Sequence, residues 1–164
     1  MFRESEKVIN SNGIACVIDR IERMKMPHTK VRKNYYVMHE ITNKDNVYYI
    51  PTDSEGSMRY PLSNEEATAL IDSIEDIEKT EILAERFRDE EYRRYIRESS
   101  PKMLIALLKY FRDRKKSRLS MGKTLSSVDE RYMKLVSRNL YSELSCSLSI
   151  PVAEVESIIT EKIG

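Results

Sequence analysis

The sequence predicts an α+β protein: a small N-terminal β-barrel of SH3 or Tudor shape, followed by a C-terminal helical bundle. Three observations carry this. Short runs rich in β-branched and aromatic residues, separated by turn signals, fill residues 1–60. Beyond Pro61 the apolar residues recur every three or four positions instead of every second one. Capping signals then open successive helical stretches. The boundary falls near Pro61, dividing the chain into 1–61 and 62–164. A chain of 164 residues can build two small domains, each with a modest core.

Lys7-Val8-Ile9 is a short strand, and Ser11-Asn12-Gly13 is a turn signal. Residues 14–21 (IACVIDRI) form the next strand, with Ile14, Cys16 and Ile18 on one face. Residues 24–33 are polar, contain Pro27 and read as a loop. Residues 35–41 (YYVMHEI) return as a strand, and Asn43-Lys44-Asp45-Asn46 is a hairpin turn. Residues 47–50 (VYYI) follow, and Pro51 stops them. Met58-Arg59-Tyr60 is a candidate short closing strand. Four or five such strands in so few residues suggest a small barrel.

The helical half opens on Ser63-Asn64-Glu65-Glu66, a capping box, with Leu70, Ile71, Ile74 and Ile77 at helical spacing behind it. A second helical stretch is predicted through Ile82, Leu83, Phe87, Tyr92, Tyr95 and Ile96. Ser100-Pro101 caps a third, in which proline at the first helical position loses no bond, and Leu104, Leu107, Leu108 and Phe111 share one face. Ser127-Val128-Asp129-Glu130 fits another capping box, leading into Tyr132, Leu135, Val136, Leu140 and Leu144. Ile150-Pro151 opens a last helix with Val155, Ile158 and Ile159. With short joints these about five helices make a bundle.

Composition narrows the function classes. The chain is 40% hydrophobic and 34% charged, an ordinary globular balance. No apolar run approaches the roughly 18 residues a membrane helix needs. The start, MFRESEKVIN, lacks the apolar stretch of a signal peptide, so a cytoplasmic, non-membrane protein is expected. Cys16 and Cys146 sit in apolar runs and read as buried small hydrophobes. With two histidines, His28 and His39, and no Cys-x-x-Cys pair, no metal site is expected.

Gly122-Lys123-Thr124 resembles the tail of a phosphate-binding loop, but Ser117 stands where its first glycine belongs. Glu65-Glu66 and Glu90-Glu91 are adjacent on helices, so their carboxylates diverge by about 100° and do not form an acid/base pair. No nucleophile-histidine arrangement can be read off, and only four glycines are present. No cofactor and no enzymatic activity are therefore expected. An enzyme would need a pocket of convergent polar groups that these residues do not suggest.

The net charge of +1 conceals a block dipole. Residues 64–91 carry eleven acids and three bases, whereas residues 102–140 carry eleven bases and three acids. Two readings stand: a surface that faces a polyanion, or helices that pair off opposite charges as they pack.

Specific residues extend the pattern. Phe2 and the Val8-Ile9 strand come first, then Asn12-Gly13 ahead of the 14–21 strand and Glu22. Tyr35-Tyr36-Val37-Met38, Val47-Tyr48-Tyr49-Ile50-Pro51 and Met58-Arg59 follow. In the helical half, Arg93-Arg94-Tyr95 precedes the Ser100-Pro101 break, and Arg118-Leu119-Ser120, a loop only by the resemblance these residues carry, precedes a long helix beginning with Asp129-Glu130. In this order, over essentially the whole chain, these residues resemble the CarD family of bacterial transcription regulators. The polymerase-interacting domain of that family also occurs in transcription-repair coupling factors.

The resemblance implies a mechanism. The family's barrel extends the sheet of a lobe of the RNA polymerase β subunit by β-augmentation. Here that implies polymerase contacts by Val47, Tyr48, Tyr49 and Ile50, with Arg23 beside them. Family members often carry two arginines in this region, and this chain has Tyr49 in place of the second. The family's helical domain presses on promoter DNA at the upstream edge of the open bubble. A tryptophan wedges into the minor groove there and basic residues hold the flanking phosphates, stabilising the open complex. This chain has no tryptophan. Phe87 stands nearest its place, with Tyr92 as second choice. The implied phosphate contacts are Arg93, Arg94, Arg112, Arg114, Lys115, Lys116 and Arg118. The alternative for Phe87 is a core residue of its helix, and Asp89-Glu90-Glu91 behind it would repel a DNA backbone. The alternative for the whole chain is a polymerase- or protein-binding module without DNA contact.

Overall fold

The computed structural model describes residues 1–98 and 100–164 and is α+β. The chain divides into two compact units, Met1–Pro61 and Leu62–Gly164.

In the first unit four strands, β1 (Lys7–Ile9), β2 (Ala15–Met24), β3 (Lys33–Glu40) and β4 (Val47–Pro51), pair antiparallel in the order β1-β2-β3-β4. The sheet is open. The run expected as a closing strand makes a single bridge, in which Ile9 and Arg59 exchange backbone bonds of 2.7 and 3.1 Å. Period-two alternation puts Val8, Cys16, Ile18, Tyr36 and Met38 on one face, where Phe2, Ile14 and Met58 join them in a buried core and Tyr48 and Ile50 pack against it. A bulge at Asp19 interrupts the β2 register: Ile18 faces Met38, but Arg20 faces Val37. One extra residue flips every later side chain of β2 to the opposite face. Arg20 thereby leaves the core side.

The second unit is built from α1 (Asn64–Asp72), α2 (Arg88–Glu98), α3 (Pro101–Ser120), α4 (Ser127–Leu148) and α5 (Val152–Ile163). Single 3-10 turns lie at Ile74–Asp76 and Glu85–Phe87. The α1 capping box forms: Ser63 Oγ accepts from the Glu66 amide (3.1 Å), and the Glu66 carboxylate accepts from the Ser63 amide (2.8 Å). The core gathers Ile71, Ile74, Tyr92, Leu107, Leu108 and Phe111 with Val136, Leu140 and Leu144 of α4 and Val155 and Ile159 of α5. Among the described residues no helix is long and apolar enough to cross a membrane.

Three local expectations are corrected. The second helix starts at Arg88, and Ile82 and Leu83 lie in non-helical chain, with Leu83 91% exposed. The reason is tertiary. Lys109 Nζ donates to the Ile74 and Ile77 carbonyls (2.5 and 2.6 Å), and the Thr80 amide bonds the Ala106 carbonyl (3.2 Å). These bonds hold the segment against α3 in an extended path. The cap of α4 is Ser126, one residue before the expected serine, with its Oγ accepting from the Asp129 amide (3.2 Å). Arg118, Leu119 and Ser120 form the last turn of α3, not a loop.

Candidate functional site

In the sheet unit the residues at issue lie on β4, the last strand in the order. Its ladder with β3 pairs Val47 with His39, Tyr48 with Met38, Tyr49 with Val37 and Ile50 with Tyr36. The Glu40 amide donates to the Asn46 carbonyl (3.0 Å), and this sets the phase of the ladder. Tyr48 and Ile50 then bond β3, while the amides and carbonyls of Val47 and Tyr49 point away from it. Among the described residues no strand covers that side. β4 is anchored at its start by a buried carboxylate. Glu40 accepts from Thr42 Oγ1 (2.8 Å), Asn46 Nδ2 (2.8 Å) and the Tyr48 hydroxyl (3.4 Å). The strand therefore has a fixed inner face, Tyr48 and Ile50, and displays Val47 (43% exposed) and Tyr49 (44%) on the other.

Arg23, expected beside them, is exposed near the end of β2 opposite Asn34. Its register puts it on the core side, opposite to Tyr49. The bulge brings Arg20 into the Tyr49 row instead: Arg20, Val37 and Tyr49 are consecutive across three strands. The Arg20 guanidinium is bonded to Glu22 (2.7 Å), which raises its pKa. Arg20 was invisible to sequence reasoning because alternation without a bulge sends it inward.

In the helical unit Phe87 closes the 3-10 turn Glu85–Phe87, its amide bonded to the Ala84 carbonyl (2.9 Å). It is not a core residue, being 53% exposed, and the Arg86 guanidinium lies 5.8 Å from its ring centre. Tyr92, the second choice, is fully buried and donates its hydroxyl to Asp129 Oδ1 (2.7 Å). Burial, then bonds with Tyr110 and Asp129, push its pKa far up.

The arginines around this turn are engaged with acids. Arg93 meets Asp89 (2.7 Å) and donates to the Tyr132 hydroxyl (3.0 Å), and Arg94 meets Glu91 (2.9 Å). Arg114 clamps Glu85 through both terminal nitrogens (2.5 and 3.1 Å) and gives Nε to Asp129 Oδ2 (2.7 Å). Arg88 Nε lies 3.3 Å from Asp129 Oδ1. Asp129 is fully buried. Burial alone would raise its pKa, but the Tyr92 hydroxyl, Arg114 and Ser126 together hold the carboxyl below its ordinary value. Along α3, Arg112 donates to Thr160 Oγ1 (3.0 Å), Lys116 to the Gly164 carbonyl (2.7 Å) and Arg118 to the Thr124 carbonyl (2.5 Å), whereas Lys115 is simply exposed. Part of the block dipole is thus resolved within the unit by Arg114 with Glu85 and Arg131 with Asp89 (3.4 Å), while Lys79 meets Asp113 (2.7 Å) in the opposite sense.

The structure thus sets the Phe87 ring beside the Arg86 guanidinium and pairs Glu85, Asp89 and Glu91 with arginines. It does not gather the Arg93, Arg94 and Arg112–118 set into a single unengaged cluster. A cleft of 620 Å³ lies against α3 and α4, with Arg112, Lys115 and Lys134 beside Leu119, Met133 and Tyr141. Among the described residues no group of three or more His, Cys, Asp or Glu side chains is placed to hold a metal. No family model matches the chain, and no curated protein matches it.

Proposed function

We propose that the chain is a CarD-like, non-enzymatic regulator of bacterial transcription. Its sheet unit holds the RNA polymerase β subunit, and its helical unit contacts promoter DNA near the upstream edge of the bubble, tuning open-complex stability. The observation that carries the reading is the one-sided pairing of β4. A strand with outward amides and carbonyls at Val47 and Tyr49, and with Tyr48 and Ile50 anchored beneath, is ready to be continued by a partner strand. The SH3/Tudor-like barrel belongs to the same reading, supported by the Ile9 to Arg59 bridge that begins to return the chain to β1. For the DNA arm, the support is the exposed Phe87 ring beside Arg86, since phenylalanine serves as a minor-groove wedge.

The test is retention of the chain on an immobilised β-lobe fragment. Tyr49→Pro removes an outward amide that the β3 ladder does not use, so retention is lost while circular dichroism is kept. Retention unchanged by Tyr49→Pro overturns the docking edge. On forked promoter DNA, Phe87→Ala shortens the open-complex lifetime, and an unchanged lifetime removes the wedge.

A second reading, an interaction module that holds polymerase or another protein without DNA contact, is favoured by one observation. Arg93, Arg94 and Arg114 are already bonded to acids of their own unit. It predicts no affinity for forked promoter DNA in a gel shift at low salt.

A further inference from the structure

A run of cations without any acid among them lies at the end of the sheet unit that carries Arg23. Residues 23–33 carry Arg23, Lys25, Lys30, Arg32 and Lys33 and no acid. All five are exposed. Lys33 is bonded to Asp53 (2.7 Å). Among the described residues Arg23, Lys25, Lys30 and Arg32 meet no acid, in contrast to Arg93, Arg94 and Arg114.

The backbone presents this run on a projection. β2 and β3 outrun their neighbours: β4 ends with Pro51 opposite Tyr35, and β1 begins with Lys7 opposite Val17. Beyond these points Arg23 pairs with Asn34 and Met24 with Lys33, a two-stranded tongue closed by residues 25–32. The tip is folded, since the Thr29 amide and hydroxyl both donate to the Met26 carbonyl (3.0 Å each). The charges are therefore held out before any partner arrives, which lowers the ordering cost of binding.

We infer that the β2–β3 tongue is a DNA-binding arm that lays Lys25, Lys30 and Arg32 against the phosphates of duplex DNA. A two-stranded ribbon fits the B-form major groove. Residues 23–33 include no Phe, Tyr or Trp and only the single imidazole of His28, so the tongue lacks the row of rings on which successive unpaired bases stack and suits a duplex better than a single strand. The major groove of A-form RNA is too deep and narrow to admit it. Lysine and arginine on phosphates give affinity without sequence preference. The inference does not depend on the polymerase reading, because it concerns a different part of the sheet unit from the β4 edge.

The experiment measures binding of the full chain to a fully paired duplex of mixed sequence, by fluorescence anisotropy between about 50 and 200 mM salt. Lys25→Ser/Lys30→Ser/Arg32→Ser lowers the slope of log K against log salt by about 2 to 3 and weakens binding at least about tenfold at low salt. Lys25→Arg/Lys30→Arg retains both. Unchanged slope and affinity in the triple variant overturn the inference, as does a larger loss on single-stranded RNA than on duplex. Retention on the β-lobe fragment is read in parallel. A triple variant that loses retention but keeps duplex affinity shows that the tongue serves an acidic protein surface and overturns it too. Failure of the native chain to dock the lobe bears only on the polymerase reading.

Discussion

Asp129 shows how much a single residue decides. Sequence periodicity places it in the first turn of a helix, where an acid favours the helix dipole. The structure gives it far more: Tyr92, Arg114 and the Ser126 cap all converge on it, and Arg88 approaches. Asp129→Asn keeps the shape but leaves two arginines facing a neutral amide. Breaking a buried ionic partnership is costly, so a loss of about 3 kcal/mol in urea unfolding is expected. Tyr92→Phe removes one bond to a charged acceptor and costs about 1.5 to 3 kcal/mol. A loss below that of Tyr92→Phe for Asp129→Asn would show the carboxylate charge to be dispensable. The pH dependence has a definite sign. The folded carboxyl titrates below the ordinary value of 3.8, so the unfolded chain binds this proton first as pH falls. The stability contributed by Asp129 is complete above that value and disappears as pH drops through the folded pKa. In Asp129→Asn the acid limb of the stability profile flattens correspondingly. Phe87 gives the complementary lesson: the same sequence pattern allowed a core residue or a displayed ring, and only the 3-10 turn at Glu85 left it exposed.

Elements were legible where local and tertiary preferences agree. The strands at 7–9 and 47–51 follow their β-branched and aromatic runs, and α1 and α5 begin where their cap signals stand. Ser63→Ala removes one half of the α1 capping box and costs about 1 kcal/mol. Hydrogen exchange locates the effect in the first turn of α1. Faster exchange spread evenly over α3 and α4 instead would mean that the cap supports the bundle rather than the helix. Residues 77–84 were illegible because their path is set by Lys109 and Ala106, more than twenty residues along the chain. The β2 bulge was illegible for a similar reason. Asp19 has ordinary strand neighbours, and its side chain meets His39 Nδ1 at 2.7 Å only once β2 and β3 have paired. That one residue decides whether Arg20 or Arg23 accompanies Tyr49.

At the scale of the whole molecule two cores stand out, one within each unit. Among the described residues eight buried side chains form the core of the sheet unit and seventeen that of the helical unit. The smaller core buries less apolar surface, so its unit is expected to open first under denaturant. Cys16 belongs to the former unit and Cys146 to the latter, and both thiols are buried. A thiol reagent in increasing urea is expected to modify Cys16 at the lower concentration, read on the single variants Cys16→Ser and Cys146→Ser. Modification of both at one midpoint would mean a single cooperative unit. The α+β class, the strand runs and most caps followed from the sequence alone, because periodicity, turn residues and capping act over a few neighbouring positions. Which cations remain available to a partner was decided by tertiary structure. Packing joins Arg114 to Glu85 and Asp129, far from it in the chain, whereas Arg93 and Arg94 meet Asp89 and Glu91 within their own helix; among the described residues Arg23, Lys25, Lys30 and Arg32 of the β2–β3 tongue meet no acid, and Lys33 meets Asp53.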